Sequence, residues 1–94
     1  MKQDLKRRAI HRSRILEGQI KALSKSIEDE DYCIDILTQS LAIQRSLGSL
    51  SKLVLDNHLR THITDMLRSG HEADHEQAMA ELLTVYELST IRSK

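Results

Sequence analysis

No proline interrupts the 94 residues, and only three glycines occur among them. Proline breaks regular structure and glycine loosens it, so a chain nearly free of both favours long, uninterrupted helices. The many Leu, Lys, Arg, Glu, Ala and Gln residues agree with that preference. A domain of this size buries only about 60–65% of its unfolded surface. Without Phe or Trp, and with two Tyr, its interior has to be built from Leu, Ile, Val, Ala and Met. Thin aliphatic helices of this kind need partners to complete a core. The expectation is one all-α domain over residues 1–94 that assembles as an oligomer.

Apolar positions give the helices their order. Leu5, Ala9, Leu16, Ile20, Leu23 and Ile27 recur at intervals of three, four and seven, the mark of an amphipathic helix. The cluster Glu28-Asp29-Glu30-Asp31 interrupts this pattern and suits the N-cap and first turn of a second helix, where carboxylates meet the positive dipole end. That second helix is expected from about Tyr32 to Leu67, roughly 50 Å long at 1.5 Å per residue. Ser69-Gly70 supplies its stop. A third helix follows, with Ala78, Leu82, Leu83, Val85 and Leu88 as its apolar stripe.

The formal net charge is zero, but it is unevenly spread. Residues 1–25 hold eight basic side chains against two acidic ones, a net +6, and the remainder holds six against twelve, a net −6. A basic first helix on an acidic body suggests a nucleic-acid face, although a solvated helix face would carry the same charges. No stretch approaches the roughly 20 apolar residues that cross a bilayer, and the N-terminus carries no apolar signal segment. A cytoplasmic location without a membrane partner is therefore expected. Cys33 is the one cysteine, so it is either a buried thiol or a chemically used one.

Cys33, His58 and His62 share one side of the expected second helix. At 100° per residue, the 25 positions from Cys33 to His58 fall about 20° short of seven turns, and the 29 to His62 pass eight turns by about 20°. Along the axis, however, Cys33 and His58 would lie roughly 37 Å apart, while metal–ligand bonds span only about 2.0–2.3 Å. An antiparallel second copy crossing near residue 46 brings Cys33 of one chain beside His58 and His62 of the other. Twofold symmetry then makes two such sites. Ser46, Gly48, Ser49 and Ser51 near the crossing are small enough for close approach, and Leu37, Leu47 and Leu55 fill the seam. One thiolate with two imidazoles suits three-coordinate Cu(I), or Zn(II) with a fourth ligand. On residue type alone, packing explains the three more often than a site does; the common register shifts the balance modestly toward a site.

Three blocks then carry a resemblance: His11-Arg12-Ser13-Arg14-Ile15-Leu16-Glu17-Gly18-Gln19-Ile20, Tyr32-Cys33-Ile34-Asp35-Ile36-Leu37-Thr38-Gln39, and Asn57-His58-Leu59-Arg60-Thr61-His62. At their mutual spacing they resemble the CsoR/RcnR family of copper- and nickel-sensing bacterial repressors. The resemblance implies a three-helix protomer, assembled as a dimer of dimers, that binds operator DNA without a helix-turn-helix. In the family, metal weakens DNA binding and releases an exporter operon. Cys33, His58 and His62 match the metal ligands, and Tyr32 and Glu81 match positions that link the site to the third helix by hydrogen bonds. Arg12, with Lys6, Arg8 and Arg14 nearby, matches the DNA-facing surface.

Departures from the family pattern narrow the metal. Nickel and cobalt members use an N-terminal His where this chain reads Met1-Lys2-Gln3-Asp4, which disfavours a six-coordinate Ni(II) or Co(II) site. Lys2 stands where formaldehyde sensors carry Pro, and the second thiol of persulfide sensors is absent. Gln44 replaces a common Arg. Cu(I) is the first choice, with Zn(II), Ni(II) or Co(II) as alternatives. A formaldehyde sensor of the same fold and a non-sensing helical-bundle interaction protein also stay open. His71-Glu72-Ala73-Asp74-His75 has the HExxH form of zinc proteases, but no third ligand or substrate cleft accompanies it; no enzyme is expected.

Overall fold

The computed structural model describes residues 2–91, and every regular element among them is helical, with no strand. Helix α1 spans Gln3–Glu28 and α2 spans Cys33–His58. A π turn at Leu59–Ile63 follows, then the short α3, Thr64–Arg68, and α4, Glu72–Ile91. The all-α, three-stretch plan expected from the sequence is present, with one amendment: the second stretch is not a single α-helix. The chain forms two compact units, residues 1–57 and residues 58–94.

The first unit is an α-hairpin. Leu16 of α1 and Leu53 of α2 are its buried side chains, and Gln39 Nε2 donates to Ser26 Oγ at 2.8 Å near the closed end. The link between the helices corrects the reading of the acidic cluster. Glu28 ends α1 and Asp29 caps it. The amide of Glu30 donates to the Ile27 carbonyl at 3.1 Å, and that of Asp31 to the Ser26 carbonyl at 3.0 Å. These two bonds, with Glu30 at φ +54°, form a Schellman C-cap. The carboxylates therefore close α1 rather than open α2. Backbone hydrogen bonding decided the matter, in a position where glycine is usual and where charge alone would have favoured the other helix. Tyr32 stands before α2, its carbonyl accepting from the amides of Asp35 (2.9 Å) and Ile36 (3.2 Å).

One face of α2 turns into the hairpin; another stays uncovered in the protomer. Ile34, Leu37, Leu41, Leu47 and Val54 are all more than two-fifths exposed. They lie within a broad arc that also carries Cys33, Gly48 and Ser51. Each such side chain that becomes buried would contribute roughly 1 kcal/mol or more.

In the second unit, Ile63 and Ala78 are buried, and α3 packs on α4. Gly70, at φ +76°, stops α3 where Ser69-Gly70 predicts a stop. His75 Nε2 donates to the Leu67 carbonyl at 2.9 Å, which fastens α4 across the turn. The stripe expected on this helix is narrower than its sequence suggests. Ala78 is buried and Leu82 and Val85 are half-buried, whereas Leu83 and Leu88 are more than 60% exposed.

Candidate metal centre

His58 immediately precedes the π turn and His62 lies within it. The Thr64 amide donates to the Leu59 carbonyl, five residues back, and the Thr64 hydroxyl donates to the same oxygen at 2.8 Å. A π turn closes its hydrogen bonds over five residues instead of four, so it winds by less than 100° per residue. The uniform α-helical arithmetic for His62 thus fails locally. The two rings are nevertheless neighbours, with centroids 5.2 Å apart and planes 31° from parallel.

Glu81 projects from α4 to His58. Glu81 Oε1 lies 2.8 Å from His58 Nε2, and both side chains are about one-third exposed. A carboxylate can only accept, so Nε2 carries the proton. That leaves Nδ1 as the ring nitrogen Glu81 does not occupy, in a ring whose orientation is fixed. This arrangement is how an outer carboxylate commonly prepares a metal-binding imidazole.

Cys33 is the first residue of α2 and its thiol is exposed. Tyr32 beside it is 70% exposed. Among the described residues of one protomer, no three His, Cys, Asp or Glu side chains converge on a point that could hold a metal. The structure thus pairs His58 with His62 and with Glu81, all in the second unit, while Cys33 and Tyr32 belong to the first. The HExxH stretch does not form a protease site. His71 precedes α4 and is largely exposed, while the His75 ring is engaged by the Leu67 carbonyl.

Lys6, Arg8 and Arg14 are exposed on α1 and Arg12 is half-buried. The hairpin sets α2 residues beside them, and it corrects one expectation: Ser46 and Ser49, expected at the crossing with a second copy, line clefts against α1 instead, because they lie on the face of α2 opposite Cys33. Arg8 and Arg12 share a cleft with Ser49, Lys52, Leu53 and Asp56. The spacing of Ser49, Lys52 and Asp56, three and four apart, was the available signal.

The family model described as "Metal-sensitive transcriptional repressor" matches residues 5–87. This chain belongs to the metal-sensitive transcriptional repressors. That family regulates transcription and is not one of enzymes, so its members have operator DNA as a partner. Among metal-sensitive repressors, this one is 34% identical to the copper-sensing transcriptional repressor CsoR of Bacillus subtilis over 80 residues, covering 85% of this chain and 76% of that protein. It is 39% identical over 59 residues to the copper-sensing transcriptional repressor RicR of Mycobacterium tuberculosis, covering 63% of this chain and 62% of that one. The crystal structure of the copper-sensing repressor CsoR with Cu(I) from Geobacillus thermodenitrificans superposes with a TM-score of 0.87 at 30% identity. It covers 96% of this chain and 91% of that one. Among the described residues, no helix is long and apolar enough to cross a membrane.

Proposed function

We propose that this chain is a Cu(I)-responsive repressor. In this reading the metal-free protein binds operator DNA, and an intersubunit site of Cys33 from one protomer with His58 and His62 from its partner releases it, derepressing metal-export genes. The observation that carries the reading is the His58 ring, held by Glu81 at Nε2, 5.2 Å from the ring of His62. One imidazole is oriented and a second lies beside it, and among the described residues of the protomer no third donor joins them. Cys33 is exposed at the start of a helix face that is apolar and uncovered. An antiparallel copy of α2 laid on that face supplies the donor and buries Leu37, Leu41 and Leu47 together.

The copper-sensing names of the relatives favour Cu(I) over the other metals. When bound, Cu(I) supplies a soft, low-coordinate centre that accepts thiolate and imidazole together. The protein's own groups do the rest. Glu81 keeps the proton on His58 Nε2 and couples any movement of the ring to α4. Tyr32 sits next to Cys33, where it could join that outer layer in the dimer. Lys6, Arg8, Arg12 and Arg14 provide the phosphate-facing charge on α1. Both units act as one repressor domain over residues 1–94, dimers pair into tetramers, and the protein works in the cytoplasm. DNA release requires only that the metal-bound conformation bind DNA less well, by a coupling of about 1–3 kcal/mol.

The experiment is an anaerobic titration of the metal-free protein with Cu(I), Zn(II), Ni(II) and Co(II), followed by X-ray absorption and by DNA-release curves. The reading expects Cu(I) bound by one sulfur and two nitrogens, with loss of DNA binding, and expects Cys33→Ala to remain on DNA when Cu(I) is added. Release by another of the metals, with Cu(I) inert, would make this a sensor of that metal instead. Release by none of them would contradict a sensing role.

A further inference from the structure

His11 lies on α1 among residues that form the basic surface, yet it belongs neither to the metal centre nor to the arginines already considered. Arg7, Arg8, His11 and Arg12 surround one concavity. On the side toward α2, a cleft of about 290 Å³ is lined by His11, Arg12 and Ile15 together with Ser46 and Ser49. Arg12 and Ser49 continue into the adjoining cleft of about 450 Å³, which adds Arg8, Lys52 and Asp56. In these three linings, four fixed cations stand against the single carboxylate of Asp56. The groups facing His11 are thus guanidinium groups from α1 and hydroxyls from α2, with Lys52 and Asp56 one cleft away. Hydroxyl and guanidinium donors around an open cleft are the chemistry that receives a phosphodiester oxygen.

We propose that His11 is a phosphate-contacting residue of the DNA surface and takes up a proton from solvent when duplex DNA binds. The proposal rests on the repressor reading above and adds a proton-linked contact to it. An anion seated beside an imidazole favours its protonated form. DNA phosphates supply that anion, so binding and protonation favour each other. His11 would then make repression tighten as pH falls through the imidazole range, independently of the metal ligands.

The test uses full-length protein, kept metal-free with chelator, and a labelled duplex of mixed sequence at low salt, which reports the phosphate component of binding. Binding is measured against salt at about pH 5 and about pH 8, which bracket imidazole titration, for wild type, His11→Gln and His11→Lys. Wild type is expected to show a log–log salt slope steeper at the lower pH, by about 0.9 for each His11 engaged. His11→Gln should lack that increment, and His11→Lys should show the steep slope at both pH values. Because His58, His62, His71 and His75 are common to all three proteins, the difference between them isolates His11. Identical slopes for wild type and His11→Gln at both pH values would overturn the proposal while leaving DNA binding intact. Failure of all three proteins to bind duplex would overturn the repressor reading itself, and this proposal with it.

Discussion

His58 Nε2 donates to Glu81 Oε1 at 2.8 Å, a bond that joins the last residue of α2 to the middle of α4 across 23 positions of sequence. It fixes the tautomer and orientation of an imidazole whose other nitrogen Glu81 leaves alone. Under the proposed function, Glu81 is the residue through which a change at His58 would reach the C-terminal helix.

Glu81→Ala should weaken metal affinity by about 10- to 100-fold, the usual cost of losing an outer partner of a ligating imidazole. DNA binding by the metal-free protein should change little, because Glu81 is remote in sequence from the basic surface of α1. A competition titration against a chelator of known affinity, alongside DNA-binding curves without metal, checks both halves. Glu81→Gln keeps an acceptor oxygen and should fall between Ala and wild type.

Arg12→Ala should weaken DNA binding and lower the salt slope by about 0.9 for each phosphate that the guanidinium no longer neutralises. Metal affinity should be unaffected. Anisotropy measured over a range of salt concentrations separates the removal of one phosphate partner from a general loss of fold, which would instead reduce helical circular dichroism.

Glu30 and Gly70 make a contrasting pair, since each ends a helix at positive φ, +54° and +76°. A side chain in that conformation costs about 1–2 kcal/mol relative to glycine. Glu30→Gly should therefore stabilise the protein by about 1 kcal/mol. Gly70→Ala should destabilise it by a similar amount, for conformational reasons alone, because an added Cβ would meet nothing within 4 Å. Chemical denaturation at one fixed protein concentration measures both.

The helices were legible because their apolar spacing is a local property. The stop at Gly70 was legible for the same reason. The acidic cluster was misread because a carboxylate run suits a helix start by charge, while the Schellman bonds of Glu30 and Asp31 leave no trace in composition. The π turn was invisible to arithmetic that assumes 100° per residue throughout. Thr64, whose amide and hydroxyl both serve the Leu59 carbonyl, has an ordinary place in the pattern. Of the proposed site, Cys33, His58 and His62 were found by their common register on one helix face. Glu81 came only through the family resemblance, since a partly exposed glutamate on an amphipathic helix has no distinguishing spacing. Lys52 acquired significance once the hairpin set it beside Arg8 and Arg12, and Ser49, expected at the crossing from its small size, proved to lie on that side as well.

The central claim is that the metal is held between two protomers, and subunit mixing tests it most directly. Cys33→Ala and His58→Ala proteins should each fail to bind Cu(I) tightly when alone. Mixed in equal amounts and allowed to exchange, they should recover about one quarter of wild-type capacity, because half the dimers become mixed and each mixed dimer regains one of its two twofold-related sites. No recovery after demonstrated exchange would contradict a shared site.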